Sequence, residues 1–201
     1  MKVSIILGHQ HQGSFNHAIA NTAQETLEAA GHTVFFHDLY AEHFDAILPH
    51  EEIVGPVTDR LVQQHLDEIA AADGIVIVHP NWWAMPPAIL KGWIDRVLRQ
   101  GVAYKFENGE PKGLLKAQAA LVFTTSNTPT EMERELFGDP LENLWTTCIL
   151  RYVGIQSVER TNYASVIMSQ PEERAAWLAD VKQRVMKAFA ERQGLRDRGT
   201  R

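Results

Sequence analysis

Residues 74–78, Gly-Ile-Val-Ile-Val, constrain the fold of this chain more than any other stretch. They carry no charge, are β-branched at every position after the glycine, and are too few for a stable helix. Continuous apolarity, in place of alternation, means that both faces of the strand are covered, as in a parallel sheet clad with helices. Residues 3–7 (Val-Ser-Ile-Ile-Leu, ended by Gly8) and 119–124 read as buried strands of the same kind. Residues 33–37 supply a further strand, and a weaker one runs from Gly154 to about Ser165. Helical spacing predicts helices over 15–30, 60–72, 86–99, 141–152 and 172–192, the last with Trp177, Val181, Val185 and Phe189 as its buried stripe. Ser14 precedes the first helix and Gly31 stops it. The alternation predicts an α/β fold, a five-stranded parallel sheet in the order 2-1-3-4-5 with helices on both faces. Ligands of such a sheet bind at the carboxyl ends of strands one and three.

Composition narrows the class. The chain has 201 residues, 45% hydrophobic and 22% charged, which fits one globular domain and not a disordered chain. We expect a single domain over residues 1–195 and a frayed tail over 196–201. One cysteine, Cys148, makes neither an internal disulfide nor a cysteine-ligated zinc site, and its apolar neighbours predict a buried structural thiol. No apolar run approaches the roughly 20 residues needed to span a membrane, and the N-terminal segment lacks a signal-peptide cleavage pattern. A cytoplasmic protein without membrane insertion is expected. A net charge of −6 argues against nucleic acid as a partner.

Three segments carry chemistry, each following a predicted strand. The first, Gly8-His9-Gln10-His11-Gln12-Gly13-Ser14-Phe15-Asn16, places free backbone N–H groups and a helix dipole where an anion binds, with Ser14 and Asn16 as added donors. It matches neither GxxxxGK[ST] nor GxGxxG, and Ser14 serves equally as a helix cap. The second is His79-Pro80-Asn81-Trp82-Trp83-Ala84-Met85-Pro86-Pro87. Two adjacent tryptophans in a Pro-bounded loop need a flat apolar partner: the core, a subunit or an aromatic ligand. The third, Thr124-Thr125-Ser126-Asn127-Thr128, is a run of small polar groups on the same sheet edge. Together the segments suit a flavin mononucleotide better than a dinucleotide read through a glycine fingerprint.

HQHQGSFNHAI, HPNWWAMPPAILKGWIDRV and LVFTTS resemble the NAD(P)H:quinone oxidoreductase family of flavodoxin-like fold, which includes the ancillary reductases of potassium efflux systems. The resemblance covers about residues 3–154. It implies flavin phosphate and ribityl contacts at His9, Ser14, Phe15 and Asn16, and isoalloxazine contacts at Pro80, Asn81, Trp82, Trp83, Thr124, Thr125 and Ser126. It also implies NAD(P)H as electron donor, a quinone or similar flat acceptor, and a homodimer with flavin sites at its interface. Trp82, Trp83, Phe137 and Trp145 offer apolar material for that interface. No side-chain acid or base is implied, because the hydride chemistry is the flavin's. An alternative is a regulatory subunit docked peripherally on a transporter, with incidental reductase activity.

The chain departs from the family in three places. Thr124-Thr125-Ser126-Asn127 replaces a common Thr-Thr-Gly-Gly, which narrows the approach to the flavin edge. The Tyr and His that mammalian-type members place over the flavin give way to Glu131-Met132-Glu133 and Phe137-Gly138-Asp139. Leu66 stands where FAD-binding members carry an adenine-holding glutamine, which favours FMN, with FAD the alternative.

Lys91, Asp95 and Arg96 read as a solvated helix face. The histidines are skewed: all nine (His9, His11, His17, His32, His37, His43, His50, His65 and His79) precede residue 80, while no Lys or Arg occurs between Lys2 and Arg60. Metal-dependent hydrolysis through His9 and His11 is a third reading, weakened by the lack of a carboxylate at ligand spacing. If a flavin phosphate sits in the first loop, His9, His11 and His17 are its only nearby sources of positive charge. Flavin affinity should then weaken as pH rises through histidine titration.

Overall fold

The computed structural model describes residues 1–190. Five parallel strands make the sheet: β1 (Lys2–Leu7), β2 (Thr33–Asp38), β3 (Gly74–Pro80), β6 (Ala119–Thr125) and β7 (Ser157–Tyr163). They lie in the order β2-β1-β3-β6-β7. This is the expected 2-1-3-4-5 arrangement, with a hairpin inserted in sequence before β6. Every residue of β3 and β6 is buried, as the apolar runs Gly74–Val78 and Ala119–Phe123 lead one to expect, and the polar His79, Thr124 and Thr125 at their carboxyl ends are buried too.

Helices cover both faces. On one, α1 (Phe15–Ala29) and α6 (Pro171–Val185) pack Ile19, Ala23, Leu27, Val181 and Val185 against Ile5, Val76 and Leu121. On the other, α2 (Arg60–Ala71) and α3 (Ala88–Val97) pack Val62, Ile69, Leu90 and Trp93 against Ile6, Ile77 and Val122. Asp59 caps α2 by accepting from the amides of Leu61 and Val62. Gly31, at φ +79, takes the left-handed conformation that ends α1. α6 continues as a π-helical turn over Met186–Ala190. The expected helix end at 192, the domain end at 195 and the tail over 196–201 lie outside the described residues. No helix among the described residues is long and apolar enough to cross a membrane.

Five points differ from expectation. A hairpin of β4 (Tyr104–Glu107) and β5 (Glu110–Gly113), turned by Asn108 and Gly109 at φ 55° and 83°, stands where no element is expected. Arg96 is not solvated: only 1% exposed, it pairs with the buried Glu52 at 2.8 Å and donates to the carbonyl of Asp45 at 2.8 Å. Cys148 is exposed, not buried. After the short α4 (Thr130–Met132), residues 140–151 form α5 only over Pro140–Asn143 and then wind with π geometry over Leu144–Arg151. Trp145 and Leu150, five apart, face the core, and Cys148 turns to solvent. Trp145, fully buried, is core rather than interface material.

Candidate active site

Parallel pairing aligns the carboxyl ends of β1, β3 and β6, with Leu7 beside Val78 and Pro80 beside Thr125. The loops that follow must therefore meet on one edge. His9, Ser14, Phe15, Asn16, Pro80, Asn81, Trp82, Thr125 and Ser126 line one open cleft there, of about 620 Å³. His11, Asn127, Thr128, Val166 and Ile167 complete its wall. Val166 and Ile167 follow β7, and the same rule that selected the other loops points to them.

Two sequence candidates lie elsewhere. Thr124 is fully buried and faces the body of the protein, where its hydroxyl donates to Asn162 Oδ1 at 3.0 Å and accepts from Arg160 Nη1 at 2.8 Å. It acts on the cleft at one remove: Asn162 Nδ2 donates to Ser126 Oγ at 3.1 Å, and Ser126 Oγ donates to the carbonyl of Thr128 at 2.9 Å. Trp83 is 98% exposed. It lines a neighbouring hollow of about 450 Å³ with Asn81, Ala84, Thr128, Glu133 and Phe137.

The tryptophan loop is a tight reversal. Trp82 and Met85 exchange both backbone hydrogen bonds at 3.0 Å, and Trp83 and Ala84 between them hold φ of 54° and 58°. Left-handed geometry at two non-glycine residues is costly and persists where surrounding structure enforces it. The result throws Trp83 outward and leaves Trp82, with its ring 6.5 Å from that of His9, over the cleft. Below it, the Asn81 amide donates to the Glu133 carboxylate. Glu133 is buried, so the Glu131-Met132-Glu133 stretch sends one carboxylate into the site wall.

The first loop turns on α1. Ser14 caps the helix by accepting from the amide of His17 at 3.3 Å. Asn16, 3% exposed, donates to Thr125 Oγ1 at 2.9 Å and ties the first loop to the third. Its Oδ1 is buried with no donor in the protein. A buried acceptor left unpaired is costly unless a ligand or water supplies the proton. Burial, and then the neighbouring His17, push the His9 ring below the usual histidine range.

His37, Glu42 and His65 are close enough to suggest a metal, but their proton directions oppose one. Trp93 Nε1 donates to His65 Nδ1 at 3.0 Å, so the neutral ring carries its proton on Nε2, 3.2 Å from Glu42 Oε2. A metal there needs that lone pair free. His37 is spanned by Glu42 at 2.9 Å and Glu68 at 2.6 Å. Burial works against charge on Glu42, but its bonds to His37 and His65 outweigh it and hold the carboxyl at about 2. This part of the histidine excess ties β2 to α2. At the first loop, His9 Nδ1 accepts from the His11 amide at 3.1 Å, which removes one ligand atom from the His9–His11 pair.

A family model described as flavodoxin-like fold matches residues 1–187. A Haemophilus influenzae protein named as an uncharacterized NAD(P)H oxidoreductase is 38% identical, over 87% of this chain and 89% of its own. The human ribosyldihydronicotinamide dehydrogenase [quinone] is 30% identical, over 94% and 93%. The structure of an NAD(P)H:quinone oxidoreductase from Methanothermobacter marburgensis superposes with a TM-score of 0.80 at 26% identity, covering 92% of this chain and 97% of that one. The chain belongs to the flavodoxin-like fold family and is an oxidoreductase within it.

Proposed function

We propose that the protein is an FMN-dependent NAD(P)H oxidoreductase whose acceptor is a quinone or a similarly flat molecule. The observation that carries this reading is the orphaned Asn16 Oδ1 in a cleft that also offers a capped helix N-terminus and the Trp82 ring. Each of these fits one part of a flavin nucleotide. The α1 amides and Ser14 would hold the phosphate, Asn16 Oδ1 would accept from a ribityl hydroxyl, and Trp82 would stack on the ring system. Thr125 and Ser126 border its polar edge. Leu66, apolar and packed into the core, offers an adenine no hydrogen bond, which supports FMN over FAD.

A bound flavin would supply the redox chemistry, hydride transfer between NAD(P)H and the acceptor. The chain's residues position and shield. Asn16 holds two loops in register, the Arg160–Thr124–Asn162–Ser126 series fixes the third loop, and Glu133 fixes the Asn81 amide. The hollow beside the cleft, walled by Trp83 and Phe137, suits a flat acceptor. Trp83, Leu136 and Phe137 are exposed at 98%, 67% and 57%, a surface that fits a second copy of the chain and supports a homodimer.

The test is titration of apo-protein with FMN, followed by NAD(P)H consumption with a soluble benzoquinone. Flavin uptake with quinone-dependent turnover is expected. Protein that takes up no flavin would sink the reading.

A further inference from the structure

Ser14, His17 and Asp38 form a hydrogen-bonded series at the mouth of the first loop. Ser14 Oγ lies 2.8 Å from His17 Nδ1, and His17 Nε2 lies 3.1 Å from Asp38 Oδ2. The other oxygen of Asp38 accepts from the amides of Tyr40 and Ala41, both at 3.2 Å, so the carboxylate is fixed from two sides. His9, with its ring 6.1 Å away, and His11 beyond it are the other titratable groups on this side. No Lys or Arg lies between Lys2 and Arg60 in the sequence.

The carboxylate decides which proton pattern the neutral ring adopts. With the proton on Nδ1, the Nε2 lone pair would face Asp38 Oδ2, acceptor against acceptor. The neutral ring therefore carries its proton on Nε2, and Nδ1 accepts from the Ser14 hydroxyl. In that state the Ser14 hydrogen points at His17. When the ring gains a proton, Nδ1–H donates to Ser14 Oγ, which already accepts from the His17 amide. The Ser14 hydrogen is then released and turns to the cleft, where a phosphate oxygen needs a donor.

We propose that His17, backed by Asp38, is a positioning residue for the cofactor phosphate. A bound phosphate draws one proton onto His17, and that proton turns the Ser14 hydroxyl from the histidine to the ligand. The proposal rests on the flavin reading above. An independent sign that the loop awaits a ligand is the buried, unpaired Asn16 Oδ1 in the same cleft.

The experiment measures FMN and riboflavin binding by apo-protein between pH 7 and 9, where the FMN phosphate is a dianion throughout. Proton uptake is read from calorimetry in buffers of differing ionisation enthalpy. For FMN, the dissociation constant should rise up to about tenfold per pH unit, with close to one proton taken up per molecule bound. For riboflavin, which lacks the phosphate, it should stay flat. Asp38→Asn keeps an oxygen for Tyr40 and Ala41 but turns an N–H toward Nε2, so the neutral ring already donates to Ser14. That variant should bind FMN without proton uptake and without a slope. His17→Gln should also lose the slope, and His9→Gln should keep it.

A slope that persists in Asp38→Asn, that vanishes in His9→Gln, or that riboflavin shares overturns the proposal. FMN binding with a flat profile in the unmodified protein overturns it and leaves the flavin reading intact. Failure to bind either flavin at any pH overturns both.

Discussion

His79 is the penultimate residue of β3, just before the tryptophan loop, and its protonation state has a calculable effect on stability. The ring is fully buried: Nδ1 donates to the Pro80 carbonyl at 2.8 Å, and Nε2 accepts from Trp145 Nε1 at 2.8 Å. Both nitrogens are satisfied only in the neutral form, since a second ring proton would face the indole N–H. Burial, against the Pro80 bond and with help from the Arg160 charge, holds the ring at about 4, down from 6.5. At about 1.4 kcal/mol per unit, that gap is worth about 3 kcal/mol. The unfolded chain binds the proton first, so this contribution is intact above pH 6.5 and is lost as pH falls toward 4. Urea unfolding of the wild type and His79→Gln, from pH 7.5 to 4.5, isolates the effect, because the other lowered histidines cancel in the difference. The variant is expected to be the less stable at pH 7.5, with the gap narrowing by about 2–3 kcal/mol at pH 4.5. A gap that does not change with pH would refute the assignment of a neutral His79.

Other perturbations test other parts of the account. Ser14→Ala with Asn16→Ala should release FMN, and unchanged binding in a fluorescence titration would remove the phosphate and ribityl assignment. Glu52→Gln leaves the buried Arg96 charge only the longer contacts of its Nη1 to the Asp45 and Asp59 carboxylates, at 3.6 and 3.8 Å, so chemical unfolding should show a loss of about 3 kcal/mol, the low end for a broken buried pair. A loss under about 1 kcal/mol would mean that the pair is solvated. Gly92→Ala presses a methyl into the backbone of Ala46, a contact that α3 makes only because that position has no side chain. A cost of about 1–3 kcal/mol is expected, read as a lowered thermal midpoint. Cys148 should react with a thiol reagent in the folded protein, and protection until unfolding would contradict its exposure.

The sheet is legible in the sequence because burial on both faces leaves a clear mark: β3 is apolar from Gly74 to Val78 and β6 from Ala119 to Phe123. The hairpin over residues 104–113 was missed although Asn108-Gly109 is a strong turn signal, because charged strands and Pro111 hide its β character. Arg96 was misread because its partner, Glu52, lies 44 residues away in a segment without periodicity. Cys148 was misread because α-helical spacing groups it with Trp145, and the chain winds there in π geometry.

Loop position brings nine of the eleven candidate residues to one cleft, and side-chain direction explains the two that lie elsewhere. Thr124 and Thr125 are neighbours on one strand and point to opposite faces, so only Thr125 reaches the cleft. Trp82 and Trp83 are parted by a left-handed turn that their residue types do not announce. The pairing of His17 with Asp38 joins a helix to a strand end, and no local spacing reveals it.

The absorbance spectrum of the protein as purified, with its released cofactor identified, bears most directly on the central claim. A yellow protein with flavin bands, releasing FMN on denaturation and bleaching on addition of NAD(P)H, is the predicted result. A colourless protein that takes up no added flavin would contradict it.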